Sequence, residues 1–521
     1  MQRLTRTLLA AALPLLAAVL STVLAPLAAG CNQGPGTSLR VALDYDDALG
    51  LDSAEVTLAD RTQSAPIAHE LLLLVPDDLA GKDIPVEVWA LKADKRAAFG
   101  AATTVPKLGK TVAVSLALTA CTPGCQADQL TTCTGPTTTC VLGCSSTGNA
   151  HCIGPTPSNG VDPAAAAPLS GTTTIAANAT FDVDTGAITG GLTRAAGAGI
   201  DGGIGYVQAP AFGPGGVPLG IFVFHNLTVE AAATVRFTGT RAAVLLVGDA
   251  AKIAGVLDVS AGQGARTTPG PGGGAGGTDS APAKGCGPGA PGKKSGTGDS
   301  GGGGGGGGQT GGPGGAGPPA TFSVGGVQCL PPRLEPLQGG SGGGRGSPGT
   351  TARSAGGGGG GGALQITALG SLEITGTINA GGAGADGGLA SATDGGSGAG
   401  GGAGGGILLE APTVTIGATA IVVANGGGGG GGGGTTQAGL PGNNALVSTN
   451  PTDGGGSGEI TGGSGGTGGA LTSPPDVGAD GMTNGGGGGA GVGAIVIRGN
   501  MRTIGGTISP AAVVDDVHPP S

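Results

Sequence analysis

The chain has 521 residues, 122 of them glycine, with only 11% charged and 2% aromatic residues and a formal net charge of −10. An acidic surface does not attract nucleic acid or anionic lipid. One Trp and two Tyr leave no base-stacking platform and no obvious sugar-stacking surface. In chain order, Arg3 and Arg6 give a short basic start, Leu8 to Ala29 is an apolar run, and small residues lead up to Cys31. Residues 1–30 therefore read as an export signal outside the fold.

Leu27-Ala28-Ala29-Gly30-Cys31 resembles the lipobox of bacterial lipoproteins, with Ala28 where that motif commonly has Leu, Val or Ile. The resemblance implies lipidation of Cys31 and a membrane as partner, at the outer membrane or cell surface. Residues 31–37 are a Gly/Pro tether. Residues 38–118 alternate in period two, as in Leu39, Val41, Leu43 and in Val86, Val88, Ala90, with turn residues between the runs. That pattern predicts a small antiparallel, immunoglobulin-like β-sandwich.

Residues 119–155 hold Cys121, Cys125, Cys133, Cys140, Cys144 and Cys152, and Cys286 and Cys329 stand apart. With Cys31 set aside the count is even. No C-x-x-C pair occurs and His151 is the only nearby imidazole, so the eight read as disulfides of an exported protein rather than zinc ligands. Their connectivity stays open. Residues 156–171 read as a Pro-rich linker.

From 172 to 510 one short pattern recurs. Val244–Val247 and Ile253–Val259 have counterparts in Ala363–Ile366 with Leu372–Ile378, in Ile407–Leu409 with Val414–Val423, and in Ala494–Ile497 with Thr503–Ile508. Such a unit cannot bury its apolar side alone and must stack on its neighbours, which predicts a parallel β-helix or solenoid. Stacking should bring Ile253, Leu257, Ile374, Ile378, Ile416, Val422, Ile504 and Ile508 into one buried column. Glycine insertions at roughly 262–361, 381–406 and 426–491 leave the coil at equivalent points. Their pure runs are 301–308, 356–362, 426–434 and 485–489. They are either flexible spacers or extended threefold helices bonded side by side. Residues 511–521 form a tail.

Stretches such as Ile253-Ala254-Gly255-Val256-Leu257-Asp258 followed by glycine resemble the Gly-rich solenoid regions of bacterial surface lipoproteins over 172–510. The resemblance implies a surface location and a structural or adhesive role. Nothing in the sequence assembles a catalytic set. Ser341 and Ser464 match the nucleophile-elbow spelling but lack the strand, helix and His it needs. Residues 287–294, GPGAPGKK, narrowly miss a phosphate loop. His69, His151, His225 and His518 are far apart. No cofactor is expected. Calcium is the best inorganic candidate, at Asp182/Asp184 or at Asp386 after Gly381-Gly382. The expected function is therefore a lipid-anchored structural or adhesive protein without catalytic activity, with extracellular polysaccharide or a cell surface as partner and no nucleic acid. The alternative is a polysaccharide lyase or hydrolase on the β-helix. Its candidate residues Glu373, Glu410 and Arg498 do not recur in register along the sequence. A flat glycine surface for ice or crystalline polymer is a third reading.

Overall fold

The computed structural model describes residues 36–517 apart from Asp60, Asp94, Thr122, 132–136, 147–149, Thr297 and 351–352. Residues 1–35, over which an export signal and lipidation of Cys31 are expected, lie outside the described residues, as do Cys133 and His518. The described chain is all-β apart from four short 3-10 turns, and it divides after Thr122 into two compact units.

In the first unit a three-stranded sheet orders Glu70–Leu74, Ser38–Asp44 and Thr111–Ala117. A five-stranded sheet orders Arg61–Pro66, Ser53–Leu58, Ile84–Lys92, Lys95–Thr104 and Thr119–Ala120. Alternate residues of both sheets share one core that includes Leu39, Val41, Val56, Val86 and Val88. The pairing is not wholly antiparallel, because Ser38–Asp44 runs parallel to Thr111–Ala117.

The second unit holds the disulfides Cys125–Cys144, Cys140–Cys152 and Cys286–Cys329. Cys121 is also disulfide-bonded. From Thr172 the strands fall into three sheets. Sheet I orders Thr172–Ile175, Asn226–Val229, Ala250–Ile253, Ser371–Ile374, Thr413–Ile416 and Met501–Ile504, all parallel. Sheet II runs from Ala179–Asp182 through Thr234–Thr238, Val256–Asp258, Thr377–Asn379 and Ile421–Val423 to Thr507–Ser509. Sheet III stacks Leu219–Phe224, Ala242–Val247, Ala363–Ala368, Gly406–Glu410, Ala494–Arg498 and Val513–Asp515. From Leu219 onward the chain visits III, I and II in fixed rotation.

The inward residues of all three sheets form one core. Its first layer is aromatic: Phe181 packs on Phe222 and Phe237 at centroid distances of 4.8 and 5.4 Å. Arg194 closes that end by donating to the carbonyls of Gly186, Ala195, Gly197, Gly199 and Ile204. The expected single apolar column is in fact two. Ile253, Ile374, Ile416 and Ile504 align in sheet I, and Leu257, Ile378, Val422 and Ile508 align in sheet II. The turn between the strands, two residues at 254–255, 375–376 and 505–506 and four at 417–420, changes face, so their side chains meet across the core. The last layer departs from expectation: Ile504 is 43% exposed, because no strand of sheet I stacks beyond it.

From Leu219 to Arg498 sheet III is buried on both faces, which is why those strands read as continuous apolar runs, while Val513 and Val514 of its last strand are 43% and 44% exposed. Its outer face is covered by Val161, Ala166 and Leu169, from the stretch read as a linker, and by Leu334 and Leu337. Residues 156–171 are thus a packed strap.

Every insertion leaves sheet II and returns to sheet III, and the three assemble into one lattice of extended segments bonded side by side. Within 301–308 the donors repeat every third residue. Gly301, Gly304 and Gly307 bond to Gly315, Gly312 and Gln309; Gly302 and Gly305 bond to Gly398 and Gly401; Gly303 and Gly306 bond to Ala290 and Gly287. Their carbonyls accept from three further segments, around Gly326, Gly344 and Gly488. Six neighbours and a period of three are the geometry of packed polyproline-II-like helices, which have no internal hydrogen bonds and so place every N–H and C=O outward. Ordering glycine costs the most backbone entropy of any residue. The cost is met here by bonding both polar groups of most residues while the coil holds both ends of each insertion.

The composition follows from this packing. A Cβ added to Gly301, Gly304 or Gly487 would lie 1.9, 2.0 or 1.8 Å from a neighbouring carbonyl oxygen. The four pure glycine runs are interior segments of the lattice. Segments on its surface carry one outward side chain about every third residue, as with Thr310, Pro313 and Ala316 or Ser464 and Thr467.

Candidate functional site

Three surfaces of the second unit could meet a ligand. The first is an outer row of the lattice. Segment 309–317 is bonded on one side to 323–326 through Gly311 and Gly314, and on the other to 476–482 through Gly478 and Gly481. Gly311 and Gly314 face the inner segment at Gly304 and Gly301, Gly312 and Gly315 face the neighbouring carbonyls of Asp476 and Ala479, and Ser323 is buried, which leaves Thr310, Pro313, Ala316, Val324 and Val477 outward. Val324, Val327 and Val477 are 57%, 61% and 61% exposed. With Pro313, Ala316 and Thr310 between them they make a flat, ridged face that also carries the exposed carboxylates of Asp476 and Asp480, the latter accepting from Ala316 N. Exposed apolar side chains gathered on one rigid face are what interaction surfaces show.

The second surface is the outer face of sheet I. Thr174, Thr228, Lys252, Glu373, Thr415 and Thr503 stand in register, one per layer. Glu373 is therefore a surface residue opposite Lys252, 3.8 Å from its ammonium and exposed. Such a pair contributes at most about 1 kcal/mol.

The third is a cleft of about 700 Å³ beside the strap, lined by Ser158, Phe212, Arg333, Glu335, Asp515 and Asp516 among others. Glu410 and Arg498 line it too, and here the sequence reading needs correction: they face each other in register on adjacent strands of sheet III. Glu410 is only 2% exposed. Its carboxylate accepts from Ser158 N, Ser158 Oγ, Gln365 Nε2, Thr367 Oγ1 and Arg498. Arg498 also donates to Ser158 Oγ, to Glu335 and to the carbonyl of Arg333. Asn159 continues the network to Leu334 O, Gln365 and Leu337 N. These bonds clamp both covering segments onto sheet III. A carboxylate saturated with donors has no lone pair to spare for acid–base work.

Burial alone would raise the Glu335 carboxyl, but the hydrogen bond from Arg498, the neighbouring Ser158 hydroxyl and the charges of Arg498 and Arg333 outweigh it and hold it below the ordinary glutamate range. A general acid needs the opposite shift. A depressed carboxylate contributes stability that is present above its unfolded value and lost as the pH falls through its folded one. Wild type should therefore exceed Glu335→Gln in urea stability at pH 7. The gap should close as the pH drops below the ordinary glutamate range. A gap independent of pH would show that the contact carries no linked proton.

The remaining sequence candidates are accounted for by structure. Ser341 is buried, its Oγ accepts from Gly287 N, and the sulfurs of Cys286 and Cys329 lie 3.7 and 3.8 Å away. Ser464 sits outward on the lattice, and the described residues include no α-helix to complete an elbow. In the GPGAPGKK stretch the N–H groups of Gly287, Gly289, Ala290, Gly292 and Lys293 all bond to protein oxygens, leaving no cradle for phosphate. Asp182 Oδ1 caps its own turn at Asp184 N and Thr185 N. Asp184 receives Thr240 and Arg241. Asp386 lies 3.6 Å from Arg266, with burial raising its carboxyl. His69 stacks on Tyr45 in the first unit. His151 and His225, distant in sequence, line one cleft with Asp249. Among the described residues no group of three or more His, Cys, Asp or Glu could hold a metal ion.

No protein family model, curated protein or solved structure matches the chain. Among the described residues no helix is long and apolar enough to cross a membrane. Disulfides persist in oxidising compartments, so the three defined here support an exported or extracellular protein.

Proposed function

We propose that the chain is an exported, surface-displayed binding protein in which a β-solenoid carries a glycine lattice as a flat platform for an extended polymer, without turning it over. The observation that carries this reading is the row of three lattice segments presenting Val324, Val327, Pro313 and Val477 on one face. A rigid face with few charges suits a neutral polysaccharide fibre, where many weak contacts on one frame add up to firm attachment. Cys31 would tether the protein to the membrane through its lipid, several acyl chains being needed for a firm hold.

The test is co-sedimentation of the purified protein with insoluble cellulose, chitin and isolated cell envelope. Val324→Asp, Val327→Asp or Val477→Asp alone should weaken binding a few-fold, and the triple variant should abolish it while leaving the fold intact. Equal binding by wild type and triple variant would contradict the proposal. Inhibition of ice growth without polymer binding would move the ligand from polysaccharide to ice.

The cleft supports a second reading as a polysaccharide-acting enzyme, since Glu335, Asp515 and Asp516 stand there with Arg333 and Arg498. Polysaccharide cleavage lost in Glu335→Gln would favour it.

A further inference from the structure

At one end of the lattice several oxygen atoms are buried with nothing bonded to them. Asn484 is 1% exposed; its Nδ2 donates to Gly433 O at 2.8 Å, but its Oδ1 has no partner. Asp394 Oδ1 and Thr461 Oγ1 are likewise buried without a partner. These three residues line one gap of about 120 Å³, with Thr393, Thr435 and Thr483. The other oxygen of Asp394 lies 3.1 Å from Lys294 Nζ. The same ammonium is 3.6 Å from Asp299 Oδ2, on a fully buried carboxylate that is joined to Asn484 by a parallel bridge. Asp299 Oδ2 accepts no hydrogen bond.

Two carboxylates thus share one ammonium, and burial raises the Asp299 carboxyl, so a proton there can balance the second charge while Asp394 Oδ1, Asn484 Oδ1 and Thr461 Oγ1 still lack partners. Unpaired buried oxygens cost free energy unless something meets them. We propose that this gap binds one divalent cation of the calcium class, held by Asp394 Oδ1, Asn484 Oδ1 and Thr461 Oγ1 and completed by water or neighbouring carbonyls. Calcium accepts about six to eight oxygens in irregular arrangements, whereas magnesium demands a near-ideal octahedron. The three oxygens here come from three separate stretches of two insertions, an irregular arrangement that favours the larger ion. The cation would add a link between the second insertion, which carries Asp394, and the third, which carries Thr461 and Asn484. The proposal is independent of any polymer.

Calorimetric titration of the chelator-treated, disulfide-intact protein with Ca²⁺ tests it, with Mg²⁺ as the comparison. Wild type should show a Ca²⁺ site that Asp394→Asn weakens by about tenfold or more, since ligand charge sets affinity in such sites. Mg²⁺ should bind more weakly. Thr461→Val keeps every charge and removes one ligand, so it should weaken Ca²⁺ binding a few-fold, and it decides the matter if Asp394→Asn fails to fold. Absence of Ca²⁺ binding in wild type would overturn the proposal, as would unchanged affinity in the folded variants.

Discussion

Gly429→Ala should destabilise the second unit by roughly 3 kcal/mol or more, a large effect for one methyl group. The added Cβ would lie 2.1 Å from the carbonyl oxygen of Gly487 and 2.6 Å from its carbon. Overpacking in ordinary cores costs about 1–3 kcal/mol because side chains move aside. Here the obstacle is backbone, and displacing it breaks the bonds from Gly487 to Gly430 and from Ala490 to Gly427. The opposing effect is small: alanine restricts the unfolded chain and returns only about 0.4–1 kcal/mol. Ser464→Ala, on an outward position of the adjacent segment, should change stability by no more than about 0.5 kcal/mol. Urea unfolding of the two variants separates a lattice from a spacer, since a spacer would tolerate both.

The second large effect is expected at the clamp over sheet III. Arg498→Met should cost about 3–5 kcal/mol, the usual result of removing one partner of a buried pair. Glu410 would keep Ser158, Gln365 and Thr367 but lose its counter-charge. The double variant Glu410→Met with Arg498→Met should recover part of the loss, because an apolar pair of similar volume leaves no charge stranded. Limited proteolysis should then find the 156–171 strap newly cleavable in the single variant. A cost under about 1 kcal/mol would mean that the network is incidental.

Much of the architecture could be read from the residues. Ile253 with Leu257 and Ile374 with Ile378 repeat one spacing, and that spacing is a coil turning from sheet I to sheet II. The pure glycine runs are equally direct, since only glycine fits where a Cβ would meet a carbonyl at about 2 Å. Whether those runs order was open, because the answer depends on neighbours supplied by other insertions.

The register of Glu410 and Arg498 was hidden for a similar reason. A whole insertion separates them in sequence, so they align only when counted along the coil. Comparing them with Glu373 misled, because Glu373 belongs to sheet I and they belong to sheet III. The strap was missed because its prolines read as a linker, while Val161, Ala166 and Leu169 are too sparse to show periodicity. His151 and His225 line one cleft where the disulfide segment folds back on the coil, which no local pattern announces. The unpartnered oxygens of Asp394, Thr461 and Asn484 have no sequence signature, being brought together by segments that are themselves almost featureless.

The central claim is that the glycine insertions form a hydrogen-bonded lattice, and amide hydrogen exchange tests it most directly. Peptides covering 301–308 and 426–434 should exchange slowly, with protection approaching that of the coil strands, because nearly all their N–H groups donate to buried carbonyls. Exchange of these glycines at the rate of an unstructured glycine-rich peptide, while the coil strands stay protected, would contradict it.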